Sequence, residues 1–224
     1  MSLPASLQER LRLPAVASPM FIVSNPDLVI AQCKAGIVGS FPALNARPAE
    51  ELEVWLKRIT EELDAWNQAN PDQPAAPFAV NQIVHRSNDR VERDVEICAR
   101  WKVPVWITSM GAREDVNQAA HDCGGFVLHD VINNRFAKKA IDKGADGLIA
   151  VCSGAGGHAG TLSPFALVQE IRSFFDKTLL LAGCINSGSD VAAALQMGAD
   201  LAYMGTRFIN TVESEAVPEY KQMI

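Results

Sequence analysis

A single histidine sits in the glycine-rich stretch "VCSGAGGHAGTLSP", Val151–Pro164, where His158 is surrounded by Gly154, Gly156, Gly157 and Gly160. Imidazole can act as a base near neutral pH, and glycine lets backbone approach a ligand that a side chain would hold away. The stretch therefore fits a plain loop, a phosphate cradle or a catalytic shelf. Two other stretches compete for the phosphate role. "AGCINSGSD" (182–190) supplies Gly183, Gly188 and candidate helix caps, and "MGTRF" (204–208) supplies Gly205 and the Thr206 hydroxyl. Backbone N–H groups ahead of a helix bind phosphate, although glycines in such places also simply make tight turns.

Something must bring these loops to one place. Eight short apolar runs recur along the chain: 14–20, 36–41, 78–84, 103–110, 125–131, 147–152, 179–185 and 201–208. Their near-continuous hydrophobicity is that of parallel strands covered on both faces. Amphipathic segments alternate with them. Asn25 caps one and Pro26 opens it, Pro48 opens another, and Gly36 stands where the first should stop. The echo "KGADGLI" (143–149) and "MGADLAY" (197–203) repeats a helix-to-strand passage. Alternating βα units with eight strands, and no GxGxxG after the first, predict an α/β chain folded as a (β/α)8 TIM barrel. Residues 1–224 are expected to form that one domain, with the last helix and any C-terminal lid segment missing, since only "INTVESEAVPEYKQMI" follows the eighth run.

In such barrels the site lies at the strand C-termini. That rule selects Ser18, Pro19 and Met20 after strand 1, Asn81 to His85 at strand 3, and Ser109 with Met110 at strand 4. It also selects His129 and Asp130 at strand 5, the His158 loop, and the two phosphate candidates after strands 7 and 8. His129 is expected to face the same mouth, and His121 to be structural. Cys152 ends a strand but reads as a small buried apolar residue, having no base fixed beside it.

Composition narrows the partners. The 224 residues are 48% hydrophobic and 21% charged with a net charge of −6, and no basic block or membrane-length apolar run occurs. Nucleic acid and anionic membrane are poor partners for such a chain. Five cysteines, odd in number and without CxxC spacing, favour a reducing compartment, and the N-terminus has no apolar signal region. A cytoplasmic protein is expected. No spacing of His, Asp and Glu suggests a metal site.

The stretches "GADGLIAVCSGAGGHAGTLSPFALV", "LAGCINSG", "MGADLAYMGTRF" and "YKQMI" resemble the nitronate monooxygenases, formerly 2-nitropropane dioxygenases. The resemblance implies an FMN-dependent barrel oxidising nitronates or nitroalkanes with molecular oxygen, with a homodimer as one assembly to look for. It implies that Gly183, Cys184, Gly205 and Thr206 hold the FMN phosphate, that Ser18, Pro19, Met20 and Asn81 contact ring and ribityl chain, and that Gly156 lies against the ring. His158 matches the catalytic histidine, which would remove the α-proton of a nitroalkane or hydrogen-bond the oxygens of a nitronate. His129, Asp130 and Ser109 are second-rank contacts. Two positions depart from the family pattern: Cys184 replaces a glycine, and Asp130 stands where some members carry lysine. An NAD(P)H-dependent quinone or enoyl-thioester reductase on the same barrel, and a flavin-free phosphate-binding isomerase or lyase, are the competing readings.

Overall fold

A computed structural model describes residues 3–157 and 160–224. Eight parallel strands alternate with helices. The first half runs α1 (Ala5–Gln8), β1 (Ala15–Ala17), α2 (Pro26–Lys34), β2 (Gly39–Pro42), a 3-10 turn (Ala43–Asn45), α3 (Glu51–Ala69), β3 (Phe78–Ile83) and α4 (Val91–Arg100). It continues with β4 (Val105–Ser109), α5 (Glu114–Asp122), β5 (Phe126–Val131), α6 (Asn134–Asp142), β6 (Gly147–Val151) and α7 (Pro164–Arg172). The last elements are β7 (Thr178–Ala182), α8 (Gly188–Gln196), β8 (Leu201–Met204), α9 (Thr206–Ile209) and α10 (Pro218–Gln222).

The strand order β1-β8-β7-β6-β5-β4-β3-β2 places every strand beside its sequence neighbour. The ring closes where Val16 of β1 bridges Val38 just ahead of β2, with Ala17 N–H donating to Val38 O (2.8 Å) and Val38 N–H to Ala15 O (3.2 Å). The result is a TIM-type barrel, as the alternation of runs requires. Side chains alternate across each strand. One set, including Val16, Val38, Ala79, Ile107, Leu128, Ile149, Leu180 and Leu201, fills the interior, and Leu7 of α1 joins it. The opposite set packs beneath the helices in two clusters, one on β2 to β5 around Trp106 and one on β6 to β1 around Leu148 and Leu181.

Local chemistry sets the element ends. Asn25, Asn133 and Ser187 side chains accept from backbone N–H groups in the first turns of α2, α6 and α8. The repeated "GAD" has a repeated job. Gly144 and Gly198 take positive φ, 88° and 109°, to leave a helix. The aspartate that follows then ties the preceding βα unit. Asp146 Oδ2 accepts Val127 N–H (2.8 Å) and His121 Nε2 (2.9 Å). Asp200 Oδ2 accepts Leu179 N–H (2.9 Å) and Arg172 Nη2 (2.7 Å).

Several boundaries differ from the apolar runs. β1 stops at Ala17 because Ser18–Asn25 turns away into a polar-pinned loop, and β8 stops at Met204 because α9 begins at Thr206. α3 extends to Ala69, leaving 70–77 as the polar loop. The final residues form α9 and α10, and they return to the body of the fold through Glu215 N–H on Val23 O (3.0 Å).

The two aspartates predict a graded loss. Asp200 is buried and its partner Arg172 half-buried, whereas Asp146 is partly exposed. Asp200→Ala should cost about 2–3 kcal/mol by leaving the buried Leu179 N–H and the half-buried Arg172 without their acceptor, and Asp146→Ala about 1–2 kcal/mol. Urea unfolding of the two variants checks both the size and the order.

Candidate active site

Above the apolar interior the inward-facing positions turn polar. Continuing the alternation from Val38, Ala79, Ile107, Leu128 and Leu201 places Ser40, Asn81, Ser109, Asp130 and Tyr203 inside, near the strand C-termini. Asn81 is buried, and its Nδ2 donates to Ile107 O (3.0 Å) and Ser109 Oγ (2.8 Å). Ser40 Oγ donates to Ala17 O. Burial and the Asp130 carboxylate push the Tyr203 phenol well above its usual range, against a hydrogen bond with Ser18. Asp130 and Ser18, distant in sequence, thus share one polar layer.

The exits of β1 and β8 meet beside it. Ser18 N–H donates to Met204 O (2.7 Å), and a Cβ on Gly205 would lie 3.5 Å from Ser18 Cβ and 3.7 Å from Met20 Sδ. Ser18, Met20, Gly205 and Thr206 therefore come together, and Pro19 lies between the first two. Thr206 opens α9, so its N–H has no intrahelical partner.

The exits of β6 and β7 are also joined. Gly183 has φ 137°, and a Cβ there would lie 2.9 Å from Ser153 O. Cys184 is not the free backbone donor expected of a phosphate ligand: its N–H donates to Gly154 O (3.2 Å), and its Sγ lies 3.4 Å from the same oxygen. A Cβ on Gly154 would collide with that sulfur. The N–H groups of Asn186 and Ser187 are likewise taken, by Asp190 Oδ2 at 3.0 and 2.9 Å. Cys184 links two loops, and an acid already caps α8, so the β7 exit offers fewer free donors than its glycines suggest.

Gly156 is different. Its φ lies outside the left-handed region, and a Cβ there would meet none of the described residues within 4 Å, as is also true of Gly188. Among the described residues nothing requires glycine at 156. His158 lies outside the described residues. Ile22, Met110 and Cys184, at the exits of β1, β4 and β7, hold positive φ of 55°, 63° and 54°. For β-branched Ile22 that is a costly conformation, of the kind that gathers at functional sites.

His129 does not face the mouth. It alternates with Leu128 and Asp130, so it points outward under the helices, where Thr108 Oγ1 lies 2.6 Å from its Nδ1. Burial, with Lys139 of α6 nearby, lowers its pKa to about 4. His85 sits in an exposed turn with Ser87 Oγ 2.8 Å from its Nδ1. Cys152 is buried, and desolvation pushes its thiol up to about 11, far from a nucleophile. Among the described residues no group of three or more His, Cys, Asp or Glu could hold a metal ion. Tyr203 escaped the reading of strand ends because it lies one residue before the glycine motif; its inward parity was the available signal.

The nitronate monooxygenase family model matches residues 7–224. The chain belongs to the nitronate monooxygenase family. Among relatives, it is 24% identical over 262 residues to the nitronate monooxygenase of Paraburkholderia phytofirmans, covering 94% of this chain and 67% of that one. It is 29% identical over 206 residues to the (3aS,4S,5R,7aS)-5-hydroxy-7a-methyl-1-oxo-octahydro-1H-indene-4-carboxyl-CoA dehydrogenase of Rhodococcus jostii, covering 92% of this chain. The chain spans about half the length of that relative, 54%. FabK from Thermotoga maritima superposes with TM-score 0.82 at 28% identity, covering 96% of this chain and 65% of that one. Nitroalkane oxidase from Streptomyces ansochromogenes shares the fold with TM-score 0.85 at 24% identity, covering 97% and 72%. The family match over residues 7–224 takes in all eight strands of the barrel.

His129 carries a pH prediction for stability rather than chemistry. Its folded pKa, about 4, lies below the usual 6.5, so neutral His129 contributes stability that is full above pH 6.5 and lost as pH falls towards 4. His129→Gln cannot titrate. The stability difference between wild type and this variant should shrink by on the order of 2 kcal/mol between pH 7 and pH 4, read from urea midpoints across that range.

Proposed function

We propose that this chain is the FMN-binding barrel of an oxidoreductase that oxidises alkyl nitronates or nitroalkanes with molecular oxygen. The observation that carries the reading is Gly156, where a Cβ would meet none of the described residues within 4 Å and no left-handed backbone angle demands glycine. A planar ring held against that backbone would account for it. FMN, when bound, supplies the acceptor for the substrate's electrons and the site of reaction with oxygen.

The chain's own residues fit the parts of that ligand unequally. Gly205 and Thr206, at the start of α9, and Gly183 would hold the phosphate, while Cys184 shapes the loop without offering its amide. Ser18, Pro19, Met20 and Asn81 would line the ring and ribityl chain. Asn81 is already oriented by Ile107 O and Ser109 Oγ, so its amide is fixed before ligand arrives. His158 would take the α-proton of a nitroalkane, or hydrogen-bond a nitronate that is already ionised. Asp130 and Tyr203 make the layer below polar, and Asp130 adds negative charge where some relatives of this family have lysine. All five cysteines are free thiols, in keeping with a cytoplasmic enzyme.

A second reading, oxidation or reduction of an acyl thioester, is favoured by the carboxyl-CoA substrate in the Rhodococcus relative's name. It is also favoured by exposed Ile132, Leu162 and Phe165 at the exits of β5 and β6, an apolar rim larger than a small nitronate needs. Oxygen uptake with a nitronate, set against NADH oxidation with an enoyl thioester or a quinone, separates the two.

Gly156→Leu tests the flavin reading directly. It should weaken FMN binding by at least about tenfold while changing stability by no more than about 0.5 kcal/mol, since a Cβ at this position meets none of the described residues within 4 Å. FMN fluorescence titration alongside thermal unfolding reads both. Unchanged FMN affinity would remove the main support for the ring's position. His158→Ala should abolish turnover of the neutral nitroalkane and spare that of the nitronate. Equal loss on both substrates would sink the assignment of a base.

A further inference from the structure

We propose that Asn45, anchored by Arg90 and Asp94, is a positioning residue that shapes the β1-exit loop for the cofactor. The proposal rests on the flavin reading above and extends it to residues outside the mouth. The loop, Ser18–Asn25, buries Val23 but leaves its tip without apolar cover. Phe21 and Ile22 are 55% and 66% exposed, and Ile22 is held at φ 55°. A β-branched residue does not adopt that angle without something to impose it.

Asn45 imposes it. Its Oδ1 accepts Ile22 N–H (3.1 Å), and its Nδ2 donates to Met20 O (2.9 Å) and Ser24 O (2.8 Å). Both amide hydrogens and the carbonyl thus go to the backbone of one loop. Buried Ser24 completes the turn by accepting Met20 N–H at its Oγ (3.0 Å). The outcome is that Ser18 and Met20 are presented beside Gly205.

A clamp needs a fixed base, and Arg90 provides it. Asn45 ends the 3-10 turn Ala43–Asn45, and Arg90 grips that turn from the far side. Its Nη1 donates to Ala46 O (2.9 Å) and its Nη2 to Ala43 O (3.3 Å). The same guanidinium pairs with Asp94 Oδ1 (3.1 Å), which is fully buried on α4. Arg90 is itself held, its N–H donating to Asn88 Oδ1 (3.0 Å) and Asn88 Nδ2 donating to Ile83 O (2.8 Å). The exits of β1, β2 and β3 are therefore one hydrogen-bonded unit. A planar fork reaching two carbonyls and a carboxylate at once is a task for arginine, and lysine cannot reproduce it.

The test uses the full chain and three variants. Asn45→Ala removes the clamp, Asn45→Asp keeps the acceptor for Ile22 N–H but loses both donors, and Arg90→Lys keeps the charge beside Asp94 but loses the fork. FMN affinity is measured by fluorescence titration, and amide exchange at residues 20–24 is measured without FMN. Asn45→Ala should weaken FMN binding by about tenfold or more and abolish protection at Ile22. Asn45→Asp and Arg90→Lys should fall between it and wild type in both readouts. A merely structural role would lower the unfolding midpoint and leave the FMN affinity of the folded fraction unchanged, and that result overturns the proposal. Wild-type exchange at Ile22 in Asn45→Ala overturns it too, whether or not FMN binds. If the wild-type chain takes up no FMN, the flavin reading fails. Lost protection in the variants would then still support the clamp.

Discussion

Backbone hydrogen bonding around the ring can be completed only if β1, three residues long, reaches β8 on one side and β2 on the other. It pairs through Ala15–Ala17 with β8 and touches the β2 side through the single Val16–Val38 bridge. Closure of eight parallel strands then sends every strand exit to the same rim, and the rest of the molecule follows from that. Alternation fills the interior with apolar side chains up to the last position of several strands. There Asn81, Ser109, Asp130 and Tyr203 replace them. A dry core becomes a polar floor on these strands, while β6 and β7 end inward on apolar Val151 and Ala182.

The rim is rigid where it is polar. The β1 exit is pinned by Asn45, the β6 and β7 exits by Cys184 on Gly154, and the start of α8 by Asp190 on its own first N–H groups. Strained backbone at Ile22, Met110 and Cys184 lies in the same loops. Three of the four non-glycine residues with positive φ among the described residues thus lie at one end of the barrel, while the helix-to-strand turns at the other end use glycine for that angle except at Lys102, φ 49°.

Much of this was legible in the chain. The eight apolar runs marked the strands, and the "GAD" echo marked two equivalent turns, because both signals are local and depend on burial or on φ. Which side of a strand faces inward was not legible for β5: "FVLHDV" is apolar on both faces, so His129 and Asp130 looked like equal candidates until the register separated them. Cys184 failed as an amide donor for a reason no local pattern carries, the carbonyl of Gly154 thirty residues earlier. Asn45 was invisible for the same reason. Its partners lie over twenty residues away and are backbone atoms, which have no sequence identity.

The bridge between Val16 and Val38 makes the β1–β2 junction a seam, and the Asn45 contacts cross that seam at its upper end. Barrel closure and the shape of the mouth are therefore one mechanical joint. A change that loosens that joint acts on closure and on the mouth at once, because the same few bonds serve both.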